Sequence, residues 1–311
     1  MKKIFNDGEV DFKMSFTTRC PARCTTCLNP TITEHYDLEW DVFKKYIEEI
    51  IQLDIPNKKR VSFYNIGEVY SHPHFVEWCE WAIPLLHEKG IFTDVVTNGF
   101  NITAIPKGID SFEISFNAGK KETFENITKI SFDSVYHNII SLYDKGEFKK
   151  AKRVIIRMLC FDENANEEND FKNLFKHLKG VRYRFNYLYD NQFGETKHHG
   201  LVERIERVPC SYITNKVNLY PSGDLNICCH DFKKTVVLGN LKSNSLLEIL
   251  QGDARMHLFN QHNELVFSGL CEKCNFNSSR TSEYVKHGYF YPPYDIAYQM
   301  ARKIYSFVFR K

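Results

Sequence analysis

Ten of the 311 residues are cysteines, and three of them, Cys20, Cys24 and Cys27, form a C-X3-C-X2-C run. Three thiolates this close can wrap one inorganic centre. They suit an iron–sulfur cluster with one iron left free of protein, or part of a zinc site. A second set is more spread out: Cys210, Gly223 and Cys228 give C-X12-G-X4-C, and Cys271 and Cys274 follow as C-X2-C. Four thiolates close a coordination sphere, and from residue types alone they fit tetrahedral zinc or a four-iron cluster. That leaves Cys79, Cys160 and Cys229. The first two lie in apolar runs and read as small buried hydrophobes, whereas Cys229 adjoins a predicted ligand.

The wider composition narrows the class. Lys and Arg total 41 against 39 Asp and Glu, for a net charge of +2, and 43% of residues are hydrophobic. These values exclude a disordered polyelectrolyte and a basic nucleic-acid coat. Cysteine at about 3% falls well below the level of a disulfide scaffold. The opening residues are too polar for a secretory signal, and no stretch approaches the ~18 apolar residues of a membrane span. The expectation is therefore a cytoplasmic protein in which clustered thiols bind metal.

These cysteines need a frame. Strand-like runs at 10–17, 60–66, 92–97, 111–117, 153–159 and 181–187 alternate with helix-like stretches at 38–53, 74–87, 134–143 and 170–178. Alternation of this kind predicts a parallel α/β fold, whose functional loops lie at the strand C-terminal ends. The Cys20 loop follows the first strand. A polar stretch at 191–200 reads as a link, followed by a hairpin at 217–228 turning at 221–224, a short helix at 245–250, and an amphipathic segment at 294–310. The expected division is 1–200, 201–280 and 281–311.

The C-X3-C-X2-C run after the first strand closely resembles the signature of the radical S-adenosylmethionine (radical SAM) enzymes. The resemblance implies a partial (β/α)6 TIM-like barrel in which the three cysteines bind a 4Fe-4S cluster. S-adenosylmethionine chelates the open iron and is reductively cleaved to a 5′-deoxyadenosyl radical, with an external electron donor such as flavodoxin or ferredoxin. Thr26 stands where the family usually has an aromatic residue. Gly67 and Glu68 match the end of a Gly-Gly-Glu motif, with Ile66 replacing its first glycine; Glu68 or the backbone around Gly67 would receive the cofactor ammonium. Asn98, Ser115 and Asn117 stand where ribose and methionine contacts fall, and Arg157 where an arginine meets the cofactor carboxylate.

The second cysteine set resembles the C-terminal extension called SPASM, or its truncated form, twitch. The resemblance implies a small α+β module with one auxiliary 4Fe-4S cluster on Cys210, Cys228, Cys271 and Cys274; a zinc ribbon is the ordinary alternative. Cys229 is a candidate hydrogen-atom donor, or else a packing thiol. His72, Asp231 and Tyr183 are candidate bases. The expected reaction is oxidation or epimerisation of a sugar, cyclitol or nucleotide sugar, because Cys20 comes too early for a leader-binding module ahead of the core. The alternatives are modification of a ribosomally made peptide and a non-catalytic metal-binding protein.

Overall fold

The computed structural model describes residues 3–188 and 208–274, together with the backbone at 284–286 and 289–291. Six strands, β1 (Val10–Met14), β2 (Lys59–Ser62), β3 (Phe92–Thr97), β4 (Ser111–Ser115), β5 (Val154–Cys160) and β6 (Val181–Tyr187), lie side by side in chain order. Each is parallel to the next. Parallel neighbours need long crossovers. Four of the five carry helices, α1 (Trp40–Gln52), α2 (Phe75–Glu88), the pair α3 (Lys121–Thr128) and α4 (Phe132–Asp144), and α5 (Glu168–Phe175), whereas β3 joins β4 through the loop at 98–110. α1 shows why such segments are helical: Val42, Phe43, Tyr46, Ile47 and Ile50 make one buried stripe against the sheet. α3 has no counterpart in the sequence reading, since its buried face holds only Phe124, Ile127 and Thr128.

The C-terminal extension contributes α6 (Ser211–Thr214), β7 (Lys216–Leu219), β8 (Asp224–Asn226), β9 (Val237–Asn240), α7 (Leu246–Gln251), α8 (Asp253–Asn263) and α9 (Leu270–Lys273). A separate antiparallel pair, β10 (Tyr284–Lys286) and β11 (Tyr289–Tyr291), follows. β7 pairs in parallel with β1, and β8 and β9 then add antiparallel, so one sheet runs β6-β5-β4-β3-β2-β1-β7-β8-β9. The hairpin turns at Gly223, whose φ of 93° suits glycine. α7 opens with a capping box between Ser245 and Glu248. Lys45 on α1 fastens the extension to the barrel through the Leu241 and Asn244 carbonyls, at 2.6 and 2.8 Å. The link expected at 191–200 and the segment at 294–310 lie outside the described residues. No helix among the described residues is long and apolar enough to cross a membrane.

The barrel strands are apolar outside and charged inside. On β1, Phe12 meets Tyr46 of α1 edge-on at 6.4 Å, which turns Asp11 and Lys13 to the inner face. The Ser62 hydroxyl lies 2.7 Å from Asp11 and 2.8 Å from Asp94. Arg60 stands 3.6 Å from Asp94, and Glu113 receives Arg184 at 2.7 Å with Arg157 at 3.9 Å. A hydroxyl has one proton to give, so its second carboxylate contact needs a proton on the carboxyl side. Burial supplies the reason: it outweighs Lys13 and Arg60 and pushes Asp94 up to about 6.

A carboxyl whose pKa is raised on folding gains stability as pH falls through the folded value and loses it as pH rises. Asp94→Asn removes that dependence. The melting temperatures of wild type and variant should lie closest at pH 5, and the variant should gain by about 1 kcal/mol relative to wild type by pH 8. Parallel melting curves across this range would show that Asp94 is charged throughout.

Candidate functional site

The cysteine loop is held from three sides. Arg23 and Thr25 donate backbone N–H bonds to the Thr128 and Ile127 carbonyls at the end of α3, both at 2.9 Å. These are carbonyls that a helix terminus leaves without intrahelical partners. Asn29, buried two residues past Cys27, is the hub. Its backbone N–H points at the Cys27 sulfur at 3.4 Å, its Nδ2 donates to the Thr18 carbonyl at 3.1 Å, and its Oδ1 accepts from Gly67 N at 3.1 Å. Sequence reasoning missed Asn29; its place two residues after the third cysteine was the available signal.

Gly67 closes the third side. Its φ is 78°, and a Cβ there would stand 2.0 Å from the Thr17 carbonyl oxygen. Glu68 N donates to the Arg19 carbonyl at 2.8 Å. The Glu68 carboxylate is 3% exposed and already engaged: it accepts from Thr97 Oγ1 at 2.6 Å, Asn98 N at 2.7 Å and Tyr70 N at 3.3 Å. Burial raises its pKa in spite of these bonds. Glu68 thus ties the loop after β2 to the end of β3, which leaves the backbone around Gly67 as the freer group for a ligand. Asn98 directs its Nδ2 to the Cys20 sulfur at 3.6 Å, joining a third strand end to the same loop.

Burial and the Glu68 carboxylate push the Cys20 thiol up to about 12; burial followed by the neighbouring thiols raises Cys24, and burial raises Cys27. Three crowded thiols that resist ionisation suit a centre whose positive irons neutralise them. Thr26 is buried at 7% exposure. Ser115, Asn117 and Arg157 lie on β4, just past it, and on β5. Ser115 Oγ donates to Asn117 Oδ1 at 3.2 Å, which also accepts from Leu159 N at 3.1 Å. Arg157 is the second cation on Glu113. These three form a neighbouring group on the adjacent strands.

Cys210, Cys228, Cys271 and Cys274 line one cavity together with Tyr212, His230 and His262. None of the ten cysteines is in a disulfide. Burial pushes Cys210 up to about 11, and its N–H meets His262 Nδ1 at 3.4 Å. His262 comes from α8, an element whose buried face of Arg255, Phe259 and His262 gave no apolar periodicity to read. Cys228 is raised by burial and by Cys229. For Cys229, burial pushes up, but His230, the Tyr212 hydrogen bond and Lys216 pull down further, to about 7. Among the described residues, no three His, Cys, Asp or Glu side chains gather around a point as for a single ion. A four-iron cube spreads its ligands wider, and the chemistry of both donor sets suits one: the three core thiols stand close enough to act on each other's ionisation, and the other four share a cavity.

The three candidate bases point elsewhere. His72 Nε2 meets the Leu38 carbonyl at 3.2 Å and its ring packs on Trp78. Asp231 accepts from Thr235 N and Oγ1, both at 2.9 Å, and from Val236 N at 3.0 Å, organising its own turn. Tyr183 meets Phe171 of α5 edge-on at 6.1 Å, on the outer face. Cys79 and Cys160 are fully buried.

The Gly67 contact yields a sharp expectation. Gly67→Ala forces the backbone of the loop away from Thr17, at a cost of roughly 1–3 kcal/mol in strain alone. Iron per chain after anaerobic reconstitution should drop from about eight to about four, the count for one remaining 4Fe-4S cluster. Retention of about eight would show that the loop tolerates the displacement.

Comparison with known proteins agrees with this geometry. Two family models match: the radical SAM superfamily over residues 14–175, more than half of the chain, and an iron–sulfur cluster-binding domain, SPASM, over residues 210–275. Curated proteins show no match. Among solved structures, BtrN in complex with AdoMet and 2-DOIA is 16% identical, with a TM-score of 0.56 over 91% of this chain and 98% of that one. SuiB of Streptococcus suis bound to precursor peptide SuiA is 13% identical, with a TM-score of 0.62 over 88% of this chain and 71% of that one. Native anSMEcpe with bound AdoMet and Cp18Cys peptide is 14% identical, with a TM-score of 0.56 over 96% and 97%. Their likeness is one of fold, a partial TIM-like barrel with a C-terminal extension. With the cysteine loop, its strand-end partners and the second cysteine set all in place, the chain belongs to the radical SAM superfamily and carries a SPASM iron–sulfur domain, with S-adenosylmethionine and 4Fe-4S clusters as its cofactors.

Proposed function

We propose that this protein abstracts a hydrogen atom from a carbon of a sugar, cyclitol or nucleotide sugar and completes an oxidation of that carbon. The supporting observation is the polar inner face of the barrel, where Asp11, Lys13, Arg60, Ser62, Asp94, Glu113, Arg157 and Arg184 gather. Parallel barrel strands are ordinarily apolar on both faces. Here the polar groups offset their burial by pairing with one another, which gives the barrel a polar lining suited to a polar occupant.

Each residue then has a task. Cys20, Cys24 and Cys27 hold the core cluster, with Gly67, Asn98, Ser115, Asn117 and Arg157 around the cofactor; Cys210, Cys228, Cys271 and Cys274 hold the auxiliary cluster. When bound, these groups supply hydrogen-atom abstraction by a 5′-deoxyadenosyl radical and a one-electron acceptor, with reduction from an external donor such as flavodoxin or ferredoxin. The protein positions the substrate carbon and excludes water. Glu113 is the inner-face carboxylate available to take the proton that an alcohol gives up on oxidation, since Asp94 holds its own proton toward Ser62. BtrN, solved in complex with 2-DOIA, is matched over nearly its whole length, which agrees with a small ligand. SuiB and anSMEcpe are solved with peptides on the same fold, so a peptide is the competing substrate class.

Epimerisation is the second reading. It draws on Cys229, whose sulfur interacts with Lys13 on the inner face and stands next to Cys228. Product mass separates the two. Oxidation removes two hydrogens, whereas epimerisation leaves the mass unchanged apart from one deuterium taken up from D2O. With strong reductant and a panel of polyols, the reconstituted enzyme should form 5′-deoxyadenosine and a product lighter by two hydrogens, and Cys229→Ala should keep that product. An unchanged mass with deuterium uptake that disappears in Cys229→Ala would replace oxidation by epimerisation.

A further inference from the structure

The seam between barrel and extension carries polar side chains that no residue assigned above accounts for. β1 and β7 pair with Lys13 opposite Asn218, and β7 and β8 pair with Asn218 opposite Asn226. Register partners point to the same side of a sheet, so all three side chains share one face. That face is the inner one. The alternate residues Phe12, Met14, Val217, Leu219 and Leu225 belong to the main hydrophobic core on the other side.

Asn218 is 1% exposed, and among the described residues neither its Nδ2 nor its Oδ1 has a hydrogen-bond partner. Asn226 is 2% exposed; its Nδ2 reaches the Asp231 carbonyl at 3.4 Å, and its Oδ1 is unpartnered. Buried amides are nearly always bonded, and an unmade bond of this kind costs about 1–3 kcal/mol. One amide donor group and two acceptor oxygens are thus left open on the sheet face that Lys13 shares. The Lys13 ammonium is 3.1 Å from Asp11 and 4.2 Å above the Tyr64 ring. Asn226 precedes Cys228 by two residues, so the strand that carries it leads directly into the auxiliary cysteines.

We infer that Asn218, Asn226 and Lys13 form a subsite for adjacent hydroxyl or amino groups of the substrate. The subsite rests on the polyol reading of the function and narrows it. A hydroxyl both donates and accepts, as the open Asn218 amide and the Asn226 oxygen require. A phosphate has no proton for those two oxygens and would meet Asp11 and Asp94 close by. The ring bound here is therefore a neutral or amino-bearing polyol, and a nucleotide sugar fits poorly.

Asn218→Leu tests this, because leucine keeps roughly the shape of asparagine and removes both open polar atoms. Saturation-transfer NMR on the reconstituted enzyme would use myo-inositol, D-glucosamine and UDP-glucose as probes, with melting measured alongside. Wild type should bind myo-inositol or D-glucosamine, and more tightly than UDP-glucose. Asn218→Leu should weaken that binding at least tenfold while melting higher, by roughly 2–4 °C. A variant that melts lower would show that the amide is structurally partnered, and would overturn the subsite. Equal polyol binding by variant and wild type would overturn the subsite and leave the polyol reading standing. Tighter binding of UDP-glucose would overturn the exclusion of nucleotide sugars, and no binding of any probe would overturn both the subsite and the polyol reading.

Discussion

Gly67 sits where a methyl group would lie 2.0 Å from the Thr17 carbonyl oxygen, and the arrangement of the core site depends on that approach. Only a residue without Cβ lets the loop after β2 lie flat on the cysteine loop. Once there, its N–H reaches Asn29, which also holds Cys27, and the next residue's carboxylate reaches Thr97 and Asn98. Asn98 in turn reaches Cys20. The ends of β1, β2 and β3 are thereby locked to one another by contacts that all converge on the thiols. A cluster with one open iron needs this support, since three ligands fix it less firmly than four would.

The second constraint is the pairing of β7 with β1. It carries the extension into the barrel sheet, so that the auxiliary cysteines continue directly from strands that share its inner face. The same pairing is what brings Asn218 and Asn226 alongside Lys13. Polar residues on that face are largely paired, as Ser62 with Asp11 and Asp94 and Arg184 with Glu113, and although Ser111 Oγ and Glu113 Oε2 also lack a hydrogen bond, Asn218 at the seam leaves its whole amide open. Stability is given up at the seam and held elsewhere, which is the pattern of a binding surface.

The parts that could be read beforehand were those with local signals. Thiol spacing marked both cysteine sets, and the runs at 92–97 and 181–187 became β3 and β6 with the expected bounds. α3 and α8 could not be read, because their buried faces carry too few apolar residues to show a 3.6-residue period. The β1–β7 pairing joins residues about 200 positions apart, and nothing local announces it. Glu68 was legible as part of a motif but not as a strut, since that role depends on Thr97 and Asn98 meeting it in space. The polar interior left a trace in the alternation of Ser111, Glu113 and Ser115 with Phe112 and Ile114, which a search for apolar parallel strands passes over. His72, Asp231 and Tyr183 were chosen by residue type, and their side-chain directions, set by packing, took them away from the interior.

At the centre of this account is a small polyol, held on the charged inner face, that gives up a carbon-bound hydrogen atom. Deuterium transfer reads that event directly. Wild-type enzyme, S-adenosylmethionine and strong reductant would be combined with carbon-deuterated polyols, and the mass of the 5′-deoxyadenosine measured. A polyol substrate should yield 5′-deoxyadenosine heavier by one deuterium, with at least one member of the set. Unlabelled 5′-deoxyadenosine from every polyol, with label arriving instead from a carbon-deuterated peptide, would contradict it.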